Sequence, residues 1–191
     1  TVVRVKVETA VDTGELTIHT TVRNNSDSEA ELAISHRVRE WRSDAARGAS
    51  ESATVSIAPG ETQTLVQTLQ VASPRIWQLD DPFLYVLDTQ LHAGDETVDD
   101  RATRFGIRHV EWRAGEGKGF YLNGEKIFLR GSNFSLHRFF EDELAGNLAW
   151  NEDWVRRLYT SYPREYQWNT FRTSIGRMPN FWYHIADEEG F

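Results

Sequence analysis

Alternation of apolar and polar residues with a period of two dominates the first 108 residues and restricts this region to β-strands. The runs at residues 16–22 and 32–38 place every second side chain on one apolar face. Turn-forming residues at 24–26, 59–60 and 94–95 separate such runs. About seven short strands without a helical period are typical of an immunoglobulin-like β-sandwich. We therefore predict this fold for residues 1–108.

Three stretches of this region have expectations of their own. Val3, Val5 and Val7 alternate with charged residues and are predicted to share one face. Residues 45–52 are small and polar, and we interpret them as a loop. His36 falls on the apolar side of its strand, where a ligand role is less common than that of a hydrogen-bonded core residue.

Residues 109–191 follow a different pattern. Residues 109–118 are rich in Gly and charge and are predicted to be a linker. Asn123-Gly124 between two apolar runs is a strong hairpin signal. The second run, 127–129, is continuously apolar and predicts a strand that is covered on both faces. Residues 119–191 then read as strand, loop, helix, strand, loop and helix, which indicates an α/β region.

The two predicted helices have recognisable ends. In the first, Trp154, Leu158 and Tyr162 recur at a spacing of four, Asn151 is expected to cap the start, and Pro163 should bend or end the helix. The second is expected to end at Gly190, with Asp187, Glu188 and Glu189 as surface charges. Its core face is predicted to comprise Phe181, Trp182, Ile185 and Ala186.

Composition excludes several functional classes. A net charge of −8 argues against nucleic-acid binding, and no apolar run approaches the roughly 20 residues of a membrane span. Cys is absent, which excludes thiol catalysis, and no metal-ligand cluster or cofactor motif is recognisable. We expect a soluble protein, and a periplasmic or extracellular location is compatible with the sequence. The seven Trp residues suit carbohydrate stacking, although core packing is the commoner role of any single Trp.

Five segments, in this order along the chain, resemble glycoside hydrolase family 2. The first lies near the end of the predicted sandwich, the second joins the two regions, and the others match the hairpin with the first barrel strand, the second barrel strand and the second barrel helix. These segments are residues 76–85, 104–108, 121–133, 169–174 and 186–191. The resemblance implies that residues 119–191 begin a (β/α)8 barrel. Since such a barrel takes about 250 residues, only its first two βα units fit here.

The resemblance further implies a retaining exo-β-glycosidase, which hydrolyses O-glycosidic bonds in carbohydrates. Retaining enzymes use two carboxyl groups about 5–5.5 Å apart. The family's acid/base and nucleophile are Glu residues on later strands, so we expect none of the catalytic residues within this chain and no activity from it alone. Asn151-Glu152 matches the acid/base dipeptide, but its position before a helix favours a capping role.

Three residues are predicted to bind substrate. The resemblance places Arg172 at the end of the second barrel strand, near the nucleophile; the alternative is a structural salt bridge. Asn133 ends the first barrel strand and is a candidate for binding sugar hydroxyls, or else a turn residue. His137 lies in the loop just beyond. Residues 134–138 and 175–176 depart from the patterns of related β-galactosidases and β-glucuronidases, which argues for another specificity, such as mannosides or an unusual glycan.

A second hypothesis belongs to another functional class. The chain could be a non-catalytic carbohydrate-binding or interaction module, in which the α/β region only stabilises the sandwich. The two hypotheses differ in whether further βα units, with an Asn-Glu after a strand, accompany this chain. The sequence does not indicate the oligomeric state.

Overall fold

The computed structural model describes all 191 residues of the chain, except for the side chain of Arg164. It divides into two compact units. The sandwich unit comprises Thr1–Ile76 and Leu84–His109, and the α/β unit comprises Trp77–Phe83 and Val110–Phe191. No helix in the described part of the chain is long and apolar enough to cross a membrane.

The sandwich unit contains eight strands in two antiparallel sheets. One sheet has the order β1-β2-β6, and the other has the order β4-β3-β7-β8 with β5 also paired to β3. The strands are β1 (Val2–Thr9), β2 (Glu15–Arg23), β3 (Ala30–Glu40), β4 (Ala46–Ala49), β5 (Ala53–Ile57), β6 (Thr62–Gln70), β7 (Tyr85–Ala93) and β8 (Glu96–Phe105).

The predicted alternation places the core of this unit correctly. Val22 from one sheet packs in the same buried cluster as Ile34 and Leu91 from the other. Each is fully buried, and burial of such a side chain contributes about 1.5–3 kcal/mol. Apolar residues from two facing sheets therefore form one core, which confirms the predicted sandwich.

Two local predictions in this unit are wrong. Val3 is 51% exposed, because a register shift between Val2 and Arg4 places Val2 on the buried face instead. Within the predicted loop 45–52, residues of β4 pair with β3. The glycine of this strand has a structural reason, since a Cβ on Gly48 would lie 2.6 Å from the carbonyl oxygen of Gln70.

His36 is a core residue, as the sequence indicated. Its side chain lies within hydrogen-bonding distance of the hydroxyls of Thr20, at 3.3 Å, and Thr89, at 3.0 Å. The residue is 2% exposed, and burial lowers the pKa of His36 from 6.5 to about 4. The folded chain therefore holds a neutral imidazole.

The α/β unit begins with a three-stranded antiparallel sheet of order β11-β10-β9, formed by β9 (Val110–Arg113), β10 (Gly119–Leu122) and β11 (Glu125–Ile127). Asn123 and Gly124 both have positive φ, of 51° and 85°, as a two-residue hairpin turn requires. The predicted hairpin is confirmed.

Two neighbouring predictions are corrected. Residues 110–113, interpreted as part of a linker, form β9, because Trp112 packs edge-on against Phe120 at 4.8 Å and Arg113 lies over the ring of Tyr121. Phe128 and Leu129 continue no strand and are 79% and 41% exposed. The expected cover on both faces is absent among the described residues.

Two parallel strands and two helices complete the unit: β12 (Gly131–Ser135), α1 (Glu152–Tyr166), β13 (Thr170–Ser174) and α2 (Asn180–Glu189). Short 3-10 helices at Leu136–Phe140 and Leu148–Trp150 join β12 to α1. The sequence predicted a loop over residues 132–151, and this stretch instead contains most of β12 and both 3-10 helices. The order β12-α1-β13 is a βαβ unit, as the α/β prediction required.

The helix ends agree with the sequence in most details. The side chain of Asn151 accepts a hydrogen bond from the amide of Trp154 at 2.9 Å and caps α1. Gly190 ends α2 with φ of 79°. Pro163 does not end α1, which runs on to Tyr166, and Tyr162 is 50% exposed rather than on the core face.

An ion-pair cluster joins the two helices. Arg156 of α1 contacts Glu188 at 2.8 Å and Glu189 at 3.0 Å. The side chain of Glu188 is only 8% exposed, so the prediction of a surface charge is wrong at that position. The carboxylate is tolerated there because it is paired.

Close backbone approach fixes the parallel strand pair. A Cβ on Gly131 would lie 1.7 Å from the carbonyl oxygen of Thr170. Asn169, just before β13, donates through its amide to the carbonyl of Phe128 at 3.0 Å and accepts from the amide of Arg130 at 2.9 Å. A glycine and an asparagine thus set the register of the two strands.

His36 should make the stability of the sandwich unit dependent on pH. The unfolded chain takes up a proton below pH 6.5, whereas the folded chain resists it down to about pH 4. Stability should therefore be complete above pH 6.5 and fall by about 3 kcal/mol as the pH drops towards 4. Hydrogen exchange of the β3 and β7 amides across this range measures it. His36→Gln should remove most of this dependence of stability on pH, whereas the control His92→Gln, at a half-buried histidine, should retain it. An unchanged pH dependence in His36→Gln would contradict the assignment of the effect to His36.

Gly131→Ala should separate β12 from β13. The added methyl group meets backbone and not a flexible side chain, so we expect destabilisation of the α/β unit by about 1–3 kcal/mol. Urea unfolding of the chain measures the loss. Gly146→Ala is the matched control, because its Cβ would have no neighbour closer than 3.7 Å. Equal stability of the two variants would show that the strand pair does not need the glycine.

Candidate functional site

The parallel strand pair brings together two of the three predicted substrate-binding residues. In the ladder between β12 and β13, Asn133 lies directly opposite Arg172. Side chains alternate between the faces of a sheet, and residues that are partners in a ladder share a face. Asn133 and Arg172 therefore project side by side from the same face.

The other face of this two-stranded sheet packs on the helices. Phe134 contacts Phe171 edge-on at 4.7 Å and lies 5.8 Å from Trp182, which is 2% exposed. Trp182 is thus a core residue of α2, as predicted. The face that carries Asn133 and Arg172 is opposite to this aromatic core, and both residues are exposed.

Arg172 has donors available for a ligand. Within the described part of the chain, its guanidinium forms no salt bridge or hydrogen bond. A guanidinium can donate two parallel hydrogen bonds to a carboxylate and remains charged at all relevant pH values. The amide of Asn133 offers a donor and an acceptor beside it. Together they suit a ligand that carries hydroxyl and carboxylate groups.

His137, the third predicted residue, is not on either strand of this pair. It belongs to the 3-10 helix that follows the carboxyl end of β12. Its Nδ1 atom is inaccessible to solvent and has no hydrogen-bond partner among the described residues. No hydrogen bond in the described structure joins it to Asn133 or Arg172.

Two serines extend the polar face and were missed at the level of sequence. Ser135 and Ser174 are partners in the last step of the ladder, two residues beyond Asn133 and Arg172. They project from the same face, at the carboxyl ends of both strands. The spacing of two residues along each strand could have indicated that each serine shares a face with Asn133 or Arg172. That the two serines also lie side by side follows only from the register between β12 and β13.

Neither strand supplies a carboxylate. β12 has the sequence GSNFS and β13 has TFRTS. The acidic residues Glu141, Asp142 and Glu143 follow in the connection to α1, where all three are exposed. Glu152 stands in the first turn of α1 beside its capping Asn151, so the Asn-Glu dipeptide has the capping role that was predicted.

Two relatives align with nearly the whole chain. An exo-β-D-glucosaminidase of Amycolatopsis orientalis is 26% identical over 97% of this chain. A β-galactosidase of Halalkalibacterium halodurans is 28% identical over 98% of it. The chain spans 17% of the length of each of these relatives.

Solved structures share the fold. A glycosyl hydrolase family 2 member from Bacteroides cellulosilyticus superposes with a TM-score of 0.82 over 97% of this chain and 24% of its own, at 19% identity. The β-glucuronidase of Parabacteroides merdae superposes with a TM-score of 0.75 over all of this chain and 22% of its own, at 24% identity.

The model of the family described as glycosyl hydrolases family 2 matches residues 1–108, which is the predicted sandwich region. This match covers more than half of the chain and agrees with the resemblance seen in the sequence motifs. The chain belongs to glycosyl hydrolase family 2.

Proposed function

We propose that this chain is part of a retaining exo-β-glycosidase that hydrolyses O-glycosidic bonds in carbohydrates. The observation that carries the proposal is the side-by-side placement of Asn133 and Arg172 on the helix-free face of a parallel strand pair. Membership of glycosyl hydrolase family 2 supports a glycosidase role. The geometry adds a place where a sugar and a catalytic carboxylate would be held.

We further propose that residues 119–191 contribute the first two βα units of a (β/α)8 barrel. Parallel sheets are covered on both faces in most proteins, whereas this pair is covered by helices on one face only. Its free face is polar, and its strands have open edges. Asn133 and Arg172 do not end their strands, as the sequence predicted, but lie two residues before the carboxyl ends. Further strands added at the open edges would place both side chains inside a closed barrel, near the end where barrel enzymes hold their active sites.

In this scheme the chain orients the substrate and does not perform the bond cleavage. The two carboxyl groups of a retaining mechanism would come from strands outside residues 1–191. Arg172 would keep the nucleophile ionised, because a neighbouring positive charge lowers the pKa of a carboxyl group. Asn133 would hydrogen-bond sugar hydroxyls, with His137 lining the loop above it.

The sugar specificity is proposed to differ from that of β-galactosidases and β-glucuronidases. Ile175 and Gly176 stand directly after the carboxyl end of β13, where those enzymes have polar aromatic residues. Ile175 has φ of 51° and is 76% exposed. Since an apolar side chain cannot make the hydrogen bonds of a polar residue in this place, we propose a β-glycoside other than a galactoside or glucuronide, such as a mannoside or an unusual glycan.

The 191-residue chain should have no glycosidase activity of its own. Among the residues that the structure describes, no pair of carboxyl groups lies at the carboxyl ends of the parallel strands, so neither protonation of the leaving group nor nucleophilic attack is available. The purified chain should release no nitrophenol from p-nitrophenyl β-glycosides above the buffer rate. A turnover that survives repeated purification would place the catalytic acids within these residues and refute the barrel scheme.

Arg172→Ala should disable the enzyme that carries the complete barrel. Loss of a charge-assisted contact to the nucleophile should lower kcat/KM by about 100- to 1000-fold, and Arg172→Lys should recover only part of it, since Lys lacks the planar fork. The thermal stability of the 191-residue chain should stay unchanged, because Arg172 is exposed and forms no ion pair with a described residue. Arg157→Ala, an exposed arginine on α1, is the control. A loss of stability with normal kcat/KM would assign Arg172 a structural role instead.

A further inference from the structure

The connection between β12 and α1 is anchored to the core by residues that point inward. Phe139 packs edge-on against Trp154 at 5.7 Å and against Trp182 at 6.1 Å. Ala149 is fully buried, and its carbonyl accepts a hydrogen bond from Nε1 of Trp182 at 2.8 Å. Both short 3-10 helices of the connection are therefore fixed in place.

The next residue in each 3-10 helix points outward. Phe140 is 62% exposed and Trp150 is 50% exposed. Their ring centroids lie 5.4 Å apart at an angle of 44°, so the two rings form one surface, which we name the Phe140–Trp150 pair. Contiguous apolar rings exposed to solvent are candidates for a binding surface, and these two lie in the connection that follows the carboxyl end of β12.

The pair is pre-organised for a ligand. The residues before the two rings, Phe139 and Ala149, pack in the core. In addition, the amide of Trp150 donates a hydrogen bond to the carbonyl of Asn147 at 3.1 Å. Little conformational freedom remains to be lost when a ligand is bound, which favours affinity. Aromatic rings have few side-chain torsions and a broad apolar face.

The topology places the pair at the functional end of the strands. The connection leaves the carboxyl end of β12 and enters the first turn of α1. Because β13 runs parallel to β12, the carboxyl end of the strand that carries Arg172 lies at the same end of the sheet. The pair and the candidate site are thus on the same side of the α/β unit.

We propose that the Phe140–Trp150 pair is a stacking platform for a pyranose ring of a neutral β-linked glycan, at a position beyond the bond that is cleaved. This inference rests on the proposed glycosidase function, which places substrate at this end of the strands. The apolar C–H face of a pyranose packs on an aromatic ring, and its hydroxyls remain available to polar groups at the edge of the platform. Arg138 and Glu141 stand close to Phe140 in the chain, are exposed, and contact each other at 2.7 Å, so they are candidates for these polar groups.

The size and charge of the surface favour a sugar over a protein. Two aromatic side chains bury about 300–500 Å² when fully covered, which is less than the roughly 800 Å² that each partner contributes to a stable protein interface. The flanking residues Glu141, Asp142 and Glu143 are exposed, so a polyanionic glycan would be repelled. A neutral glycan fits both constraints.

Affinity electrophoresis of the complete enzyme tests the platform without requiring catalysis. Native gels would contain soluble β-glucan, β-mannan, xylan or galactan, and a carboxylated polysaccharide for comparison. At least one neutral polysaccharide should retard the wild type, with an apparent Kd that rises about five- to tenfold in Trp150→Ala and in Phe140→Ala. Circular dichroism would confirm that each variant is folded, and Phe140→Ala carries the test if Trp150→Ala is not.

Trp112→Ala is the matched control. Trp112 is 52% exposed and also packs against a phenylalanine, Phe120, but it stands on the separate β9-β10-β11 sheet. Its removal should leave retardation unchanged. The proposal is overturned if no neutral polysaccharide retards the wild type, if Trp112→Ala weakens binding as much as Trp150→Ala, or if Trp150→Ala changes the sedimentation of the protein from one oligomeric state to another.

Hydrolysis separates this inference from the proposed function. Trp150→Ala should lower kcat/KM about five- to tenfold for an oligosaccharide of the retarding glycan and leave methyl monoglycosides unaffected. An enzyme without any glycosidase activity, whose glycan binding still depends on Trp150, would refute the proposed function and retain the platform. Normal glycosidase activity with unchanged binding and unchanged oligosaccharide kinetics in both variants would refute the platform alone.

Discussion

The approach of two backbones at Gly131 and Thr170 is the constraint on which the α/β unit depends. No side chain fits at residue 131, because a Cβ there would overlap the carbonyl oxygen of Thr170. The side chain of Asn169 ties the start of β13 to the segment before β12 on both the donor and the acceptor side. With the first step of the ladder fixed in this way, every later step follows, including the one that places Asn133 beside Arg172.

The same register sorts the side chains of the strand pair by chemistry. Phe134 and Phe171 fall on the helix side, where they join Trp182 in an aromatic core. Burial of that face supplies the free energy that holds the strands against α1 and α2. The polar face contributes little to this packing, so its residues are free to serve a ligand. One face of the sheet therefore stabilises the α/β unit, and the opposite face carries the candidate site.

Sequence patterns predicted what local chemistry decides. Alternation identified the core of the sandwich unit, and a side-chain acceptor before an acidic first turn identified Asn151 as a helix cap. Patterns failed where pairing partners decide the structure, because β4 and β9 have no apolar period of their own. β4 is a strand because it pairs with β3, and β9 is a strand because Trp112 packs on Phe120 of β10. For the candidate site, sequence supplied Asn133 and Arg172 singly, but their opposition depends on a register that no local pattern contains.

The largest disagreement between pattern and structure lies at Phe128 and Leu129. Their continuous apolar run predicts cover on both faces, yet they are mostly exposed within the described residues. These large apolar side chains lie directly before a parallel strand, and the hydrogen bond from Asn169 to the carbonyl of Phe128 fixes their position. Exposed apolar residues held in this way are suited to contact with a neighbouring segment that would cover them. The Phe140–Trp150 pair differs, because each ring follows a residue that already packs in the core: the partly buried Phe139 and the fully buried Ala149. The first surface is suited to more polypeptide and the second to a small ligand, and both assignments agree with the barrel and the sugar-binding end that we propose.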